Sequence, residues 1–175
     1  KFGEMGKIGI LVNNEQQLRF SKDLGVALNS IGYIICLYTA SPSLSHKASD
    51  RAFPIKLIAS EFSGNPPENL RIDSAAESLE FKLGSMSASD IEKNAGRVWR
   101  AFSNEVEKNP IEKIFIWQPW LLVGHVLKKF CQSASIDVAY LEIGNFPGRT
   151  FVDYKGVNAD CSLSMNKELL KSFSP

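Results

Sequence analysis

Glu142 is the residue best placed for acid–base chemistry. It follows the apolar segment from Asp137 to Leu141 and precedes Gly144. Partial burial at a strand end disfavours the charged form of a carboxylic acid, which suits the group to proton transfer as a general acid or base. The same position also fits a structural role, in which Glu142 caps a neighbouring helix or pairs with Arg149. Its position alone leaves both roles open.

The segment from Pro147 to Asn158 is polar and rich in glycine, yet it contains two aromatic residues. Asp153 could orient a sugar hydroxyl or another side chain, and the Asn158 amide can both donate and accept hydrogen bonds. The alternative is an irregular excursion from the core, in which Asp153, Gly156 and Asn158 only fix turns.

Two further amides, Asn13 and Asn14, follow the apolar segment from Ile8 to Val12. They could bind a polyhydroxylated ligand, or Asn14 could simply cap the helix that follows. The segment lacks both the G-x-G-x-x-G pattern and the Gly-Lys-Ser/Thr pattern. Binding of a dinucleotide or of ATP phosphates is therefore not indicated.

The remaining candidates are histidines and tryptophans. His125 lies in a helical stretch, where a structural role is the simpler interpretation, and no spacing of His, Cys, Asp and Glu resembles a zinc site. We therefore expect no metal. Trp117 and Trp120 flank the end of a predicted strand and are candidates to stack on a ligand. No G-x-S-x-G sequence occurs, which disfavours an α/β-hydrolase.

Apolar segments alternate with helical patterns along the chain, so these residues can be placed on elements. The strands are apolar on both faces, as in parallel sheets covered by helices. We predict an α/β fold with a Rossmann-like parallel sheet, forming a single domain over residues 1–175. Ligands of such sheets bind at the carboxyl ends of the strands. The predicted strands cover 8–12, 33–38, 54–59, 113–117 and 137–141, the helices 18–31, 89–108, 121–130 and 166–172, and a polar loop 41–50.

The overall composition excludes several classes of protein. The chain has 175 residues, 44% of them hydrophobic, and a net charge of +1. The chain therefore lacks the excess of positive charge that is typical of proteins that bind nucleic acid. No apolar run approaches the roughly 20 residues that span a bilayer, and no signal peptide is visible. Three widely spaced cysteines favour buried thiols in a reducing, cytoplasmic setting.

A longer pattern in the second half of the chain is formed by Ile114 to Gln118, Val138 to Gly144, Pro147, Asp153 and Gly156 to Asn158. This pattern resembles the bacterial capsule polysaccharide synthesis family, which includes transferases of Kdo (3-deoxy-manno-octulosonic acid). The resemblance is strongest over residues 111–164 and loose over 7–40. Where the family often has Trp-Asn-Gly, this chain has Trp117-Gln118-Pro119.

The resemblance implies a glycosyltransferase built from two Rossmann-like domains that face a cleft, as in GT-B-type enzymes. This chain would be the amino-terminal, acceptor-side half, and the donor-binding half is absent from it. The implied partners are a saccharide or glycolipid acceptor and a nucleotide-sugar donor, CMP-Kdo or another, with no separate cofactor. The implied location is the cytoplasm, with peripheral association with the inner membrane also compatible.

Carried onto this chain, the family pattern makes Glu142 the expected catalytic carboxylate. An alternative is a non-catalytic module that binds a saccharide or a protein through the same edge of the sheet. The predicted substrate-binding residues are Asn13, Asn14, Gln118, Gly144, Asn145, Asp153, Gly156 and Asn158.

Overall fold

The computed structural model describes residues 6–47, 53–58, 78–143, 149–157 and 160–166. None of the helices in these ranges is long and apolar enough to cross a membrane. In chain order the elements are β1 (Lys7–Leu11), α1 (Glu15–Ser30), β2 (Ile34–Thr39), α2 (Pro42–Lys47), β3 (Ile55–Leu57), α3 (Leu79–Lys82), α4 (Ala88–Lys108), β4 (Lys113–Trp117), α5 (Leu122–Ser133), β5 (Asp137–Ile143), β6 (Thr150–Asp153) and α6 (Ser162–Met165).

The six strands form one sheet in the order β3-β2-β1-β4-β5-β6. The first five strands run parallel to their neighbours, and β6 pairs antiparallel with β5. This is the strand order of Rossmann-type folds. The structure therefore confirms the predicted α/β fold with a Rossmann-like sheet, while the antiparallel edge strand was not predicted.

Two hydrophobic cores lie on opposite faces of the sheet, because successive strand residues point to opposite sides. One core joins Ile8 and Ile10 of β1 to Leu18 of α1. The other joins Leu11 of β1 to the apolar faces of α4 and α5, including Phe102 and Leu127. The sheet is thus the middle layer of three, with α1 on one side and α4 and α5 on the other.

Three predicted segments differ from the structure. The prediction of a loop at 41–50 is wrong, since α2 forms there and has Pro42 at its first position. Leu44 is the only hydrophobic residue of α2 that is buried. The predicted excursion at 147–158 contains β6, which is held by its ladder to β5. The helix predicted at 166–172 lies outside the described residues apart from Asn166, and a short helix, α6, precedes it.

The amino terminus of α5 is capped by a residue from a distant part of the chain. The Leu122 N–H donates to both carboxylate oxygens of Glu80, at 2.9 and 3.1 Å, and Leu121 provides no side-chain cap. The Leu79 N–H donates to the Trp120 carbonyl at 2.8 Å. A carboxylate is favourable at a helix amino terminus. Helix α3 therefore holds the start of α5.

We expect Glu80→Ala to lower the free energy of unfolding by about 1 kcal/mol, because the cap and its charge are both lost. Urea denaturation would measure the change. Glu80→Gln keeps an acceptor oxygen and should cost less. Equal stability of Glu80→Ala and the wild type would contradict this account of the cap.

Candidate functional site

The carboxyl ends of β1 and β4 lie side by side at the middle of the sheet. The helices that follow these strands, α1 and α5, pack on opposite faces. The chain therefore leaves the two strands in diverging directions and opens a crevice between them. This is the position at which open α/β sheets bind their ligands.

Three carboxamide side chains line this crevice and bond to one another. Gln17 Nε2 donates to Gln118 Oε1 at 3.2 Å, and Asn13 Nδ2 lies 3.4 Å from the same oxygen. The Asn13 N–H donates to Gln17 Oε1 at 2.8 Å. Gln118 is half-buried, and its own side-chain nitrogen has no partner among the described residues. The predicted residues Asn13 and Gln118 are thus brought together.

Asn14 sits at the amino terminus of α1 and caps it. Its Oδ1 accepts from the Gln17 N–H at 2.9 Å, and its side chain is exposed. This is the capping alternative that the sequence left open. A contact from Asn14 to substrate stays a prediction.

Gln17 was not among the predicted site residues, although it connects Asn13 to Gln118. Its side chain is 5% exposed. A signal for it exists in the sequence, since Asn14 followed three residues later by Gln17 fits the capping-box pattern. The structure differs from that pattern in one respect, because Gln17 Oε1 accepts from the N–H of Asn13 and not from the N–H of Asn14.

The backbone of Gln118 adopts φ of 52°, the left-handed region that non-glycine residues rarely occupy. Its carbonyl accepts from the Leu121 N–H at 3.0 Å. A Cβ added to Gly124 would lie 2.7 Å from this carbonyl oxygen and 3.0 Å from the Pro119 Cα. Glycine at 124 thus lets α5 pack directly on the turn that carries Gln118.

Glu142 lies near the end of β5 and is half-buried, opposite Phe151 of β6. It shares the face of the sheet with Tyr140, two residues earlier. Its Oε2 is buried and has no hydrogen-bond partner among the described residues, and no ion pair within them joins Glu142 to Arg149. Buried carboxylate oxygens are normally hydrogen-bonded, so this oxygen is a candidate to interact with a ligand.

Asp153 is buried and both of its carboxylate oxygens hold the loop that follows β6. Oδ1 accepts from the N–H groups of Lys155 at 2.7 Å and Gly156 at 3.2 Å. Oδ2 accepts from the N–H of Ser162 at 3.1 Å and from the Ser162 hydroxyl. Burial raises the pKa of Asp153, but the bonds from Ser162, Lys155 and Gly156 outweigh it and leave the pKa lowered.

Gly156 also has a structural role, because a Cβ there would lie 2.7 Å from the Asp160 backbone oxygen. The contacts of Asp153 and Gly156 match the turn-fixing alternative, and a role for either in substrate binding stays a prediction. The predicted site residues Gly144, Asn145 and Asn158 lie outside the described residues.

The two tryptophans have different surroundings. Trp117 is 3% exposed and packs edge-to-face against Phe20, with ring centroids 5.4 Å apart, so it belongs to the core and does not present a face to a ligand. Trp120 is half-buried and lines a cleft of about 420 Å³ beside α5. Buried His125 lines the same cleft.

The cysteines of the described chain are not joined by disulfides. No group of three or more His, Cys, Asp or Glu in that part of the chain is arranged to hold a metal ion. Cys131 and Cys161 are buried and Cys36 is partly buried. Burial raises the pKa of Cys131 to about 12, which leaves it protonated and unreactive.

Comparison with known proteins gives little more. No protein-family model matches the chain, and no curated protein matches it. Among solved structures it is similar to the glycotransferase of kitacinnamycin, with a TM-score of 0.45 and 11% sequence identity. The match covers 76% of this chain and 29% of that chain, so this chain spans less than a third of the other protein's length.

We expect Asp153→Asn to lower the free energy of unfolding at neutral pH by about 1–2 kcal/mol, because hydrogen bonds to a charged acceptor are weakened. The pKa of Asp153 is lowered by folding, so its stabilisation is present above the ordinary aspartate pKa of about 3.9 and is lost as pH falls below it. Denaturation of both proteins across this range would measure the effect. A stability difference that does not shrink at low pH would contradict it.

We expect Gly124→Ala to lower the free energy of unfolding by about 1–3 kcal/mol, because the new methyl group meets backbone atoms that cannot rotate away. This loss outweighs the gain of up to about 1 kcal/mol in helix propensity. Gln132→Ala, at an exposed position of the same helix, is the control and should change stability by less than about 0.5 kcal/mol. If Gly124→Ala is as stable as the control variant, the turn at Gln118 and Pro119 can shift to make room for the methyl group.

Proposed function

We propose that this chain is the acceptor-side domain of a glycosyltransferase of bacterial capsular or surface polysaccharide synthesis. The observation that carries the proposal is the buried, unpartnered Oε2 of Glu142 near the carboxyl edge of a Rossmann-like sheet. Its second support is the sequence pattern that joins Glu142 and Gly144 to Gly156 and Asn158. Together with a donor-binding half, the domain would transfer Kdo from CMP-Kdo to a saccharide or glycolipid in the cytoplasm, at the inner membrane.

The proposed role of Glu142 is that of general base. A hydroxyl of the acceptor attacks the anomeric carbon of the donor sugar, the bond to CMP breaks, and CMP leaves with the bonding electron pair. The hydroxyl proton must go to a nearby base as the new bond forms. A carboxylate oxygen without a competing hydrogen bond is available to take it.

The proposed role of the carboxamides is recognition of sugar hydroxyls. An amide offers both a donor and an acceptor, and a hydroxyl group can use both. The side-chain oxygen of Gln118 already accepts hydrogen bonds within the protein, whereas its side-chain nitrogen can donate to a ligand. Because Asn13 and Gln17 hold that oxygen, the direction of the remaining donor is set before the ligand arrives.

We expect Glu142→Gln, in a protein that includes the donor-binding half, to reduce transfer from CMP-Kdo at least about 100-fold. The amide keeps the shape of the side chain but cannot take the proton, so kcat should fall while KM for the acceptor stays similar. A transfer assay with both substrates varied would measure the two constants. Glu112→Gln is the matched control, since Glu112 is exposed and lies just before β4, at the amino-terminal ends of the parallel strands.

Unchanged kcat in Glu142→Gln would remove this residue from the mechanism. The linked carboxamides of the crevice favour a second candidate function, a module that binds a saccharide or a protein without catalysis. If that candidate is correct, Gln118→Ala should weaken binding of the ligand to this chain, and Glu142→Gln should leave it unchanged.

A further inference from the structure

The cleft of about 420 Å³ beside α5 lies outside the carboxamide crevice. Of the described residues that line it, Lys82, Lys128, Lys155 and His125 are basic and Asp160 is acidic. We propose that it is a binding site for a small phosphorylated molecule. This inference is independent of the proposed function, since neither Glu142 nor the carboxamides take part in it.

The charge of the cleft fits a phosphate monoester. Among the described residues that line the cleft, three lysines and one aspartate leave two net positive charges, and a phosphate monoester carries a charge of about −1.5 to −2 at neutral pH. Within the described residues, none of the three lysines is paired with a carboxylate. Lys128 Nζ instead lies 5.7 Å from the centre of the Tyr140 ring. Unneutralised charges that converge on one cavity favour an anionic ligand.

The three lysines come from separate elements whose backbones are fixed. Lys82 ends α3, which is held to α5 by the bonds of Leu79 and Glu80. Lys128 lies in α5, and the N–H of Lys155 donates to Asp153 Oδ1. Because no single surface helix accounts for the charges, their convergence comes from tertiary structure, and the site is formed before a ligand binds.

The chemistry of the walls favours phosphate over carboxylate and a small organic molecule over a free ion. A phosphate monoester, with a charge of about −1.5 to −2, balances the net positive charge of the described lining residues better than a single carboxylate does, and lysine binds phosphate as a point charge. Trp120 and Tyr140 add apolar surface for the body of the ligand. The volume is within the range of roughly 300–1,000 Å³ of small-molecule sites.

Calorimetric titration of the whole chain with glucose 1-phosphate would test the site. We expect Lys128→Gln and Lys155→Gln each to weaken binding about fivefold, the upper range for partly exposed charge pairs. Lys129→Gln is the matched control, because Lys129 is the next residue in α5 and does not line the cleft. Asp160→Asn should tighten binding, a change that a purely structural role would not produce. Added salt should weaken binding.

Glucose, glucuronate and inorganic phosphate separate the alternatives in the same assay. Weak or absent binding of all three supports the proposal. If glucuronate binds as tightly as glucose 1-phosphate, the choice of phosphate is overturned. If inorganic phosphate binds as tightly as glucose 1-phosphate, the choice of an organic ligand is overturned. No binding of glucose 1-phosphate, or equal loss in Lys129→Gln and Lys128→Gln, would overturn the site itself. Thermal unfolding of each variant would confirm that it remains folded.

Discussion

The turn that leaves β4 is the constraint on which both candidate regions depend. Gln118 takes a left-handed backbone conformation there, and its carbonyl receives the Leu121 N–H while Gly124 passes close by. This turn directs the Gln118 side chain towards β1 and the following residues, Pro119 and Trp120, towards α5. One short segment therefore supplies a wall of the crevice and a wall of the cleft.

The two regions differ in electrostatic character. The crevice is lined by carboxamides, which recognise hydroxyl groups by the direction of their hydrogen bonds and change little with salt. The cleft is lined by lysines, whose attraction is less directional and is screened by ions. Glu142 lies on the same face of the sheet as Tyr140, which lines the cleft. It is also near the carboxyl end of β5, and the crevice lies at the carboxyl ends of β1 and β4. The carboxamide crevice and the lysine-lined cleft would therefore favour different ligands.

The parts of the fold that the sequence predicted are those with a strong local pattern. Strand β4 was predicted with its observed bounds, because it is apolar on both faces. Strand β6 was missed because it has only four residues and lies within a segment that is polar and rich in glycine. Helix α2 was missed because it buries so little apolar surface.

The site was only partly predictable for a different reason. The position of Glu142 at a strand end follows from local pattern, but the burial of its Oε2 without a hydrogen-bond partner does not. The roles of Asp153 and Glu80 depend on Ser162 and Leu122, which are nine and 42 residues distant in sequence. No periodicity within a strand or helix reports such contacts.

The crevice joins parts of the chain that lie far apart, since the contact of Asn13 with the Trp117 carbonyl spans 104 residues. A contact of such long range forms only when a large loop closes, which costs chain entropy. A nascent or partly unfolded chain therefore has no crevice. Any ligand that binds there selects the fully folded molecule, and its affinity adds directly to the stability of the whole domain.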